Sequence, residues 1–423
     1  MVHRAPNTLT IRGGKDHARR RRIMAQGVSE RAQRGYEGRV MAHINQFCDA
    51  AFAAAESTEW QPEKPSWTAP MDMAKWSNYL SFDIMADVVF GAQYNLIGNE
   101  RFRYVVESID KSNVRMGALV QAPSVAAFKL DKYLFRDAIR ARNRFVKFVM
   151  RVVKERLDKT AGPSVSEPVS DHDLFANIAA AKDPETGDGF STDEMAAESA
   201  TLIVAGSDTS STAIAGVLFY LAHNPSAYAR AAAEVRAAFA SRDEIAMGAK
   251  LAGCKYLHAC IDESLRMSPP VGSALWREVA APGGAVVDGQ RVPQGVDVGV
   301  SIYSVHHSDR SFADPFVFRP ERWLADDGTG DSVERARAAY APFSIGQRGC
   351  LGKGLAQTEM MLTFATVLYC GDFKLAGGHL ATVGCGMAGG ENGRHRENEF
   401  QLFDHVTSQK KGPFLCFSPR QDD

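Results

Sequence analysis

Phe343-Ser344-Ile345-Gly346-Gln347-Arg348-Gly349-Cys350-Leu351-Gly352 is the stretch on which the reading of this chain turns. A cysteine set among three glycines stands just ahead of a segment, Gly352 to about Tyr369, whose apolar residues recur at helical spacing. A thiolate that ligates iron in a flat macrocycle needs a backbone able to come close to it, and glycine permits that approach. The helix that follows offers N–H groups and the positive end of a dipole, both favourable to negative sulfur. Arg348 adds a guanidinium able to grip a carboxylate as a charge-assisted fork. A single cysteine is ordinarily a small buried apolar residue. The joint occurrence of Phe343, Gly346, Arg348, Cys350 and Gly352 sets that reading aside.

The rest of the composition narrows the field. The 423 residues are 45% hydrophobic and 23% charged with a net charge of -1, ordinary for a globular body, and no overall field points to nucleic acid. The basic run Arg19 to Arg22 reads as a solvated helix face or a weak targeting signal. Seven cysteines, odd in number and without a CxxC pair, indicate neither a zinc site nor a disulfide framework, and free thiols in a reducing compartment are expected. No window of 18 uninterrupted apolar residues and no signal-peptide core are found, so the expectation is a chain without a membrane anchor.

Outward from the cysteine, the first two-thirds read as helical, with runs over Arg31–Ala55, Ala74–Gly91 and Arg136–Lys159, and a Pro/Ser/Gly-rich loop over Thr160–Asp171. Ser191 and Glu194 form a capping box for a long helix that Asn224-Pro225 ends near His223. Its middle, Ala205-Gly206-Ser207-Asp208-Thr209-Ser210, is a polar patch inside an apolar helix. After Pro269-Pro270 the texture shifts to short strands, among them 285–287 and 296–300, and the tail ends in a strand-like 413–417.

Three constellations accompany the cysteine. Glu263 and Arg266 lie three apart, on one helix face, as either an exposed pair or, with Arg322, a buried ion cluster. Asp208 and Thr209 place an acid beside a hydroxyl, which suits proton delivery in a dry pocket; beside the cysteine motif that reading outweighs a mere packing role. Gly206 is expected to leave room for oxygen, and the Thr209 hydroxyl to bond the carbonyl one turn back. Gly384-Cys385-Gly386-Met387-Ala388-Gly389 fits a dinucleotide fingerprint but lacks the apolar helix such a loop must open, so a plain loop is expected and electrons must come from a partner.

The pattern F-x-x-G-x-R-x-C-x-G resembles the haem-binding signature of the cytochrome P450 superfamily. The segments at 205–210, at Glu263-Ser264-Leu265-Arg266 and at Phe318-Arg319-Pro320-Glu321-Arg322-Trp323 resemble further motifs of that family in its order, and the tail looks like filamentous-fungal members. The resemblance implies a mainly α fold with small β-sheets over 1–423, helical to about 270 and mixed from 271 to 423. It implies haem b held by Cys350, with His17 and Arg21 (H-x-x-x-R, where many members carry Trp for the His) and Arg277 reaching its propionates. Glu263, Arg266 and Arg322 would then be structural. The implied activity is insertion of one oxygen atom from O2 into a lipophilic small molecule in fungal secondary metabolism, with NADPH-cytochrome P450 reductase as donor at the endoplasmic reticulum membrane. Family members carry an anchor, opening helices and a small sheet ahead of the His17 region. The expectation is therefore an N-terminally truncated member that binds haem poorly by itself. Two alternatives stand beside the monooxygenase: a non-catalytic remnant acting at most as a binding protein, and a haem enzyme that isomerises or dehydrates a peroxide.

Overall fold

The computed structural model describes residues 6–53, 67–161, 173–324 and 332–420. Most of the loop expected over Thr160–Asp171 lies outside the described residues. The fold is mainly helical with small sheets, as expected. Its helices are α1 (Gly14–Gly27), α2 (Glu30–Phe52), α3 (Met73–Phe90), α4 (Arg103–Gln121), α5 (Leu130–Leu134), α6 (Arg136–Ala161) and α7 (Leu174–Ala180). They continue with α8 (Thr192–His223), α9 (Pro225–Ala238), α10 (Ala249–Gly253), α11 (Lys255–Met267), α12 (Ile302–His306), α13 (Val333–Ala339) and α14 (Lys353–Cys370).

Helix α8 is the axis. The Ser191 hydroxyl accepts from the Glu194 N–H at 3.3 Å and the Glu194 carboxylate accepts from the Ser191 N–H at 2.9 Å, closing the capping box expected there. The helix runs 32 residues and stops where Pro225 opens α9. Its apolar residues occupy every side, so it is buried over most of its circumference rather than along one stripe. Among the described residues it alone is long and apolar enough to cross a membrane, but 72% of that window is buried inside the protein, as in a core helix. Helix α3 has the same character and packs against α8. Its buried carboxylates differ: Asp83 accepts from the Leu96 N–H at 2.7 Å while its Oδ1 has no hydrogen-bond partner among the described residues, and Asp87 faces Arg39 at 2.9 Å and His43 at 3.0 Å.

Helices α2 and α14 lie side by side. Gln33 stands against Gly354 near their starts, and Cys48 meets Cys370 near their ends, so the two run parallel. Strands β1 (Met71–Asp72), β6 (Gly371–Leu375) and β9 (Phe414–Pro419) form one sheet in the order β1-β9-β6, antiparallel throughout. The expected tail strand is thus β9, carried on to Pro419. Ladders of two strands join β2 (Arg277–Glu278) to β5 (Asp297–Val298), β3 (Ala285–Val287) to β4 (Gln290–Val292), and β7 (Phe403–His405) to β8 (Thr407–Gln409). The strand expected over 296–300 shrinks to Asp297–Val298, because its partner β2 offers only Arg277 and Glu278.

Candidate active site

Cys350 sits at the end of a loop that closes on itself: its N–H donates to the Phe343 carbonyl at 2.7 Å. Gly346 holds φ of +71°, a left-handed conformation that a side chain would strain. Phe343 is half-buried and packs against the main core, fixing the other end of the loop. The cysteine itself opens to the surface three residues before the first residue of α14. Packed protein on its inner side nevertheless pushes the thiol pKa up, while the Gly352 N–H and the charges of Arg21 and Lys353 pull the other way. The helix start alone therefore does not make this sulfur a thiolate; a bound cation would be needed to hold it so.

Around the loop, cations gather. His17 on α1 is buried, and its pKa is lowered by burial and by Arg348, Arg21 and Arg277 in turn. Arg348 is lowered by burial and by Arg277 and Arg21. Arg21 donates to the Gly349 carbonyl at 2.7 Å, tying α1 to the cysteine loop. Among the described residues, none of Arg21, Arg277 and Arg348 forms an ion pair with a carboxylate. Three guanidiniums that repel one another, beside a neutral imidazole, fit a multiply charged anion. On α8 the stripe Leu202, Ala205 and Thr209 is only partly covered, with Ala205 exposed in a helix that is otherwise core. A soft thiol donor, an anion-seeking rim and a partly uncovered apolar stripe together fit an iron porphyrin with its propionates.

The polar patch of α8 divides by direction. Thr209 Oγ1 donates to the Ala205 carbonyl at 2.6 Å. Asp208 turns instead toward α4 and the tail: it accepts from Asn113 Nδ2 at 2.8 Å and from the Thr407 hydroxyl, and it faces Lys410. Burial raises its pKa. No hydrogen bond joins Asp208 to Thr209 among the described residues, so the neighbouring acid and hydroxyl work on different faces of the helix. At Gly206 a Cβ would run into the Met85 side chain, so the glycine lets α3 pack close against that side of α8.

Beneath the loop lies the ion cluster. Glu263, Arg266 and Arg322 are all fully buried. Arg266 grips the Glu263 carboxylate with two bonds of 2.9 Å, Arg322 Nε donates at 3.0 Å, Trp323 Nε1 at 3.0 Å and the Arg319 N–H at 2.9 Å. Burial by itself would raise the Glu263 pKa; Arg266 and Arg322 overcome it and hold the carboxyl below its usual range. Burial keeps His306 neutral, with its pKa pushed down to about 3. One ring nitrogen of His306 bonds the Arg266 carbonyl at 3.2 Å and the other accepts from the Ala341 N–H at 2.9 Å, which carries the cluster to the start of the cysteine loop. Sequence reasoning missed His306. Its place in His306-His307 has no spacing that announces a ligand or a network.

Sequence reasoning also missed Glu359, a buried acid inside α14. Ser210 of α8 donates to it at 2.9 Å, while its Oε1 has no hydrogen-bond partner among the described residues although Ser81 lies close. Burial pushes its pKa from 4.5 up to about 7. The unfolded chain releases this proton near 4.5 and the folded chain keeps it to about 7, so rising pH across that window destabilises the fold, by on the order of 3 kcal/mol in full. Glu359→Gln removes that cost. Its melting temperature relative to the parent is expected to climb as pH rises through the window and then level off. Parallel curves would mean that Glu359 ionises normally.

The GxGxxG stretch is a loop, as expected: Gly386 and Met387 donate to the carbonyls of Arg396 and Arg394, and no helix follows.

A sequence profile described as Cytochrome P450 matches residues 3–377. The chain belongs to the cytochrome P450 family. It is 47% identical to a cytochrome P450 monooxygenase of Gibberella zeae, covering 99% of this chain and 93% of that one. A cytochrome P450 monooxygenase (poxM) of Penicillium oxalicum is 45% identical, covering 99% and 75%, and AKT7 of Alternaria alternata 44% identical, covering 99% and 78%. A crystal structure of a cytochrome P450 (CYP102L1) superposes with a TM-score of 0.73 at 23% identity, covering 99% of this chain and 85% of that one, a likeness of fold. Membership in the P450 family implies haem, dioxygen, a small-molecule substrate and a redox partner. Alignment with named enzymes over nearly the whole chain does not favour a non-catalytic remnant.

Proposed function

We propose that this P450 is a haem-thiolate monooxygenase, a single haem domain over 1–423, that inserts one oxygen atom of O2 into a lipophilic small molecule in fungal secondary metabolism. The observation that carries the reading is the meeting of Cys350 with the rim of His17, Arg21, Arg277 and Arg348. In this proposal the Cys350 sulfur would hold the iron of haem b. Phe343, Gly346 and Gly352 shape its loop, and the three arginines with the neutral His17 hold the propionates. When bound, the haem supplies oxygen activation, and a thiolate ligand favours O–O cleavage.

The chain's own residues then bind, orient and deliver protons. Thr209, on the partly uncovered stripe of α8, is the hydroxyl nearest in kind to a proton donor at that face. Asp208 reaches it only by changing its hydrogen-bond partners from Asn113 and Thr407, and is a proton reservoir rather than a direct donor. NADPH-cytochrome P450 reductase is the electron donor we assign, docking on the side of the cysteine loop where Lys353 is exposed, at the endoplasmic reticulum membrane.

The test is coupling. In Thr209→Ala, NADPH consumption is expected to continue while product per NADPH falls by about 100-fold, with hydrogen peroxide released instead. Product formation that keeps pace with NADPH would remove Thr209 from proton delivery.

A further inference from the structure

Far from the cysteine loop, two thiols meet. Cys48 lies near the end of α2, fully buried, and Cys370 is the last residue of α14, half-buried. They lie beside each other where α2 and α14 pack together. Both line an open cleft of about 430 Å³ together with Asp49, Phe52, Arg242 and Tyr369. The guanidinium of Arg242 is held beside them by bonds of 2.8 Å to Asn45 Oδ1, 2.7 Å to the Asn45 carbonyl and 2.6 Å to Asp49 Oδ1. Three bonds to one helix leave it little freedom to drift from the thiols.

The two sulfurs are not equivalent. The neighbouring Cys48 thiol, and after it Arg242, pull the Cys370 pKa down, whereas burial pushes that of Cys48 up. The more accessible Cys370, its pKa lowered, faces the cleft, and the buried Cys48 lies behind it. That is the arrangement of an attacking thiolate with a resolving thiol. Other buried cysteines lack it: burial raises Cys254 and Cys260 without any thiol partner.

We propose that Cys48 and Cys370 form a dithiol modification site, oxidised reversibly to a disulfide by a low-molecular-weight disulfide such as oxidised glutathione entering the cleft. The Cys370 thiolate attacks one sulfur of the oxidant, forms a mixed disulfide and releases one glutathione thiolate. The Cys48 thiol gives its proton to that thiolate and attacks the Cys370 sulfur, expelling the second glutathione. Two protein thiols are oxidised and one external disulfide becomes two thiols. The bond would staple α2 to α14 at the far ends of a parallel pair whose near ends flank Gly354 and the cysteine loop. In a reducing compartment such a bond is a transient, sensing one rather than a structural one.

The experiment uses the haem-loaded full chain, treated with oxidised glutathione, alkylated and mapped by mass spectrometry without reduction. A linked peptide pair containing Cys48 and Cys370 is expected, lost on dithiothreitol treatment. Cys48→Ser should trap Cys370 as its glutathione adduct, and Cys370→Ser should leave Cys48 unmodified. Arg242→Gln should slow adduct formation in the Cys48→Ser background by about tenfold, one pKa unit of lost thiolate. If both cysteines are recovered alkylated while other thiols have reacted, the proposal is overturned. An adduct on Cys370 that Cys48 never resolves in the parent chain overturns it equally, and neither result depends on a variant folding.

Discussion

Cys350→Ser is expected to abolish the thiolate-shifted band that the reduced carbon monoxide complex of the parent chain should give, and with it all product formation. A serine hydroxyl keeps its proton far above neutral pH and is a hard, weak donor, so it does not replace a thiolate on iron. Two features make the test specific. Packed protein raises the Cys350 pKa, so the sulfur is an anion only with a cation beside it, and the band reports that contact directly. The anion-binding rim is left intact, because Arg21 bonds the Gly349 carbonyl and not the sulfur. Some haem should therefore still associate with Cys350→Ser, with a nitrogen- or water-ligated spectrum. Cys385→Ser, at a half-buried thiol whose sulfur lies 3.4 Å from His223 Nε2, should keep the parent band. A parent chain that takes up haem with a nitrogen as its axial ligand would end the haem-thiolate reading.

Much of this was legible in the chain itself, and the reasons differ by residue. Ser191 and Glu194 announced the start of α8 because a capping box is local: both bonds close within four residues. The F-x-x-G-x-R-x-C-x-G run announced its loop because the Cys350 N–H to Phe343 carbonyl bond also closes within the motif. What stayed hidden is non-local. The close approach of Met85 to Gly206 was not readable because Met85 comes from another helix. The direction of Asp208 is set by Asn113, Thr407 and Lys410, which no spacing in α8 encodes. Glu359 lies in a helix apolar on every side, where one acid reads as a surface residue until Ser210 is found against it. The thiols of Cys48 and Cys370 are far apart in sequence and became a pair only when α2 and α14 were seen to run parallel.

Glu263→Gln is expected to cost about 3–5 kcal/mol of stability, the range for removing one partner of a buried ion cluster. Against a total of roughly 5–15 kcal/mol for a folded domain, that suffices to leave a large fraction of chains unfolded. The amide keeps the shape of the side chain, so packing is not the cause. It removes the only carboxylate that Arg266 and Arg322 share by the bonds described here, and both guanidiniums are fully buried. Trp323→Phe, by contrast, removes one 3.0 Å donor from a carboxylate that keeps four others, and should cost about 1 kcal/mol. The two effects separate charge from hydrogen bonding. Because His306 links the Arg266 carbonyl to the Ala341 N–H, the loss should travel to the cysteine loop. The folded fraction of Glu263→Gln is therefore expected to bind haem weakly even where its helices are intact by circular dichroism. Urea unfolding followed by both haem absorbance and ellipticity measures this: the haem transition should fall to lower urea than the helical one. Coincident transitions within about 0.5 kcal/mol of the parent would show that the cluster is dispensable, as replaceable buried ion pairs sometimes are.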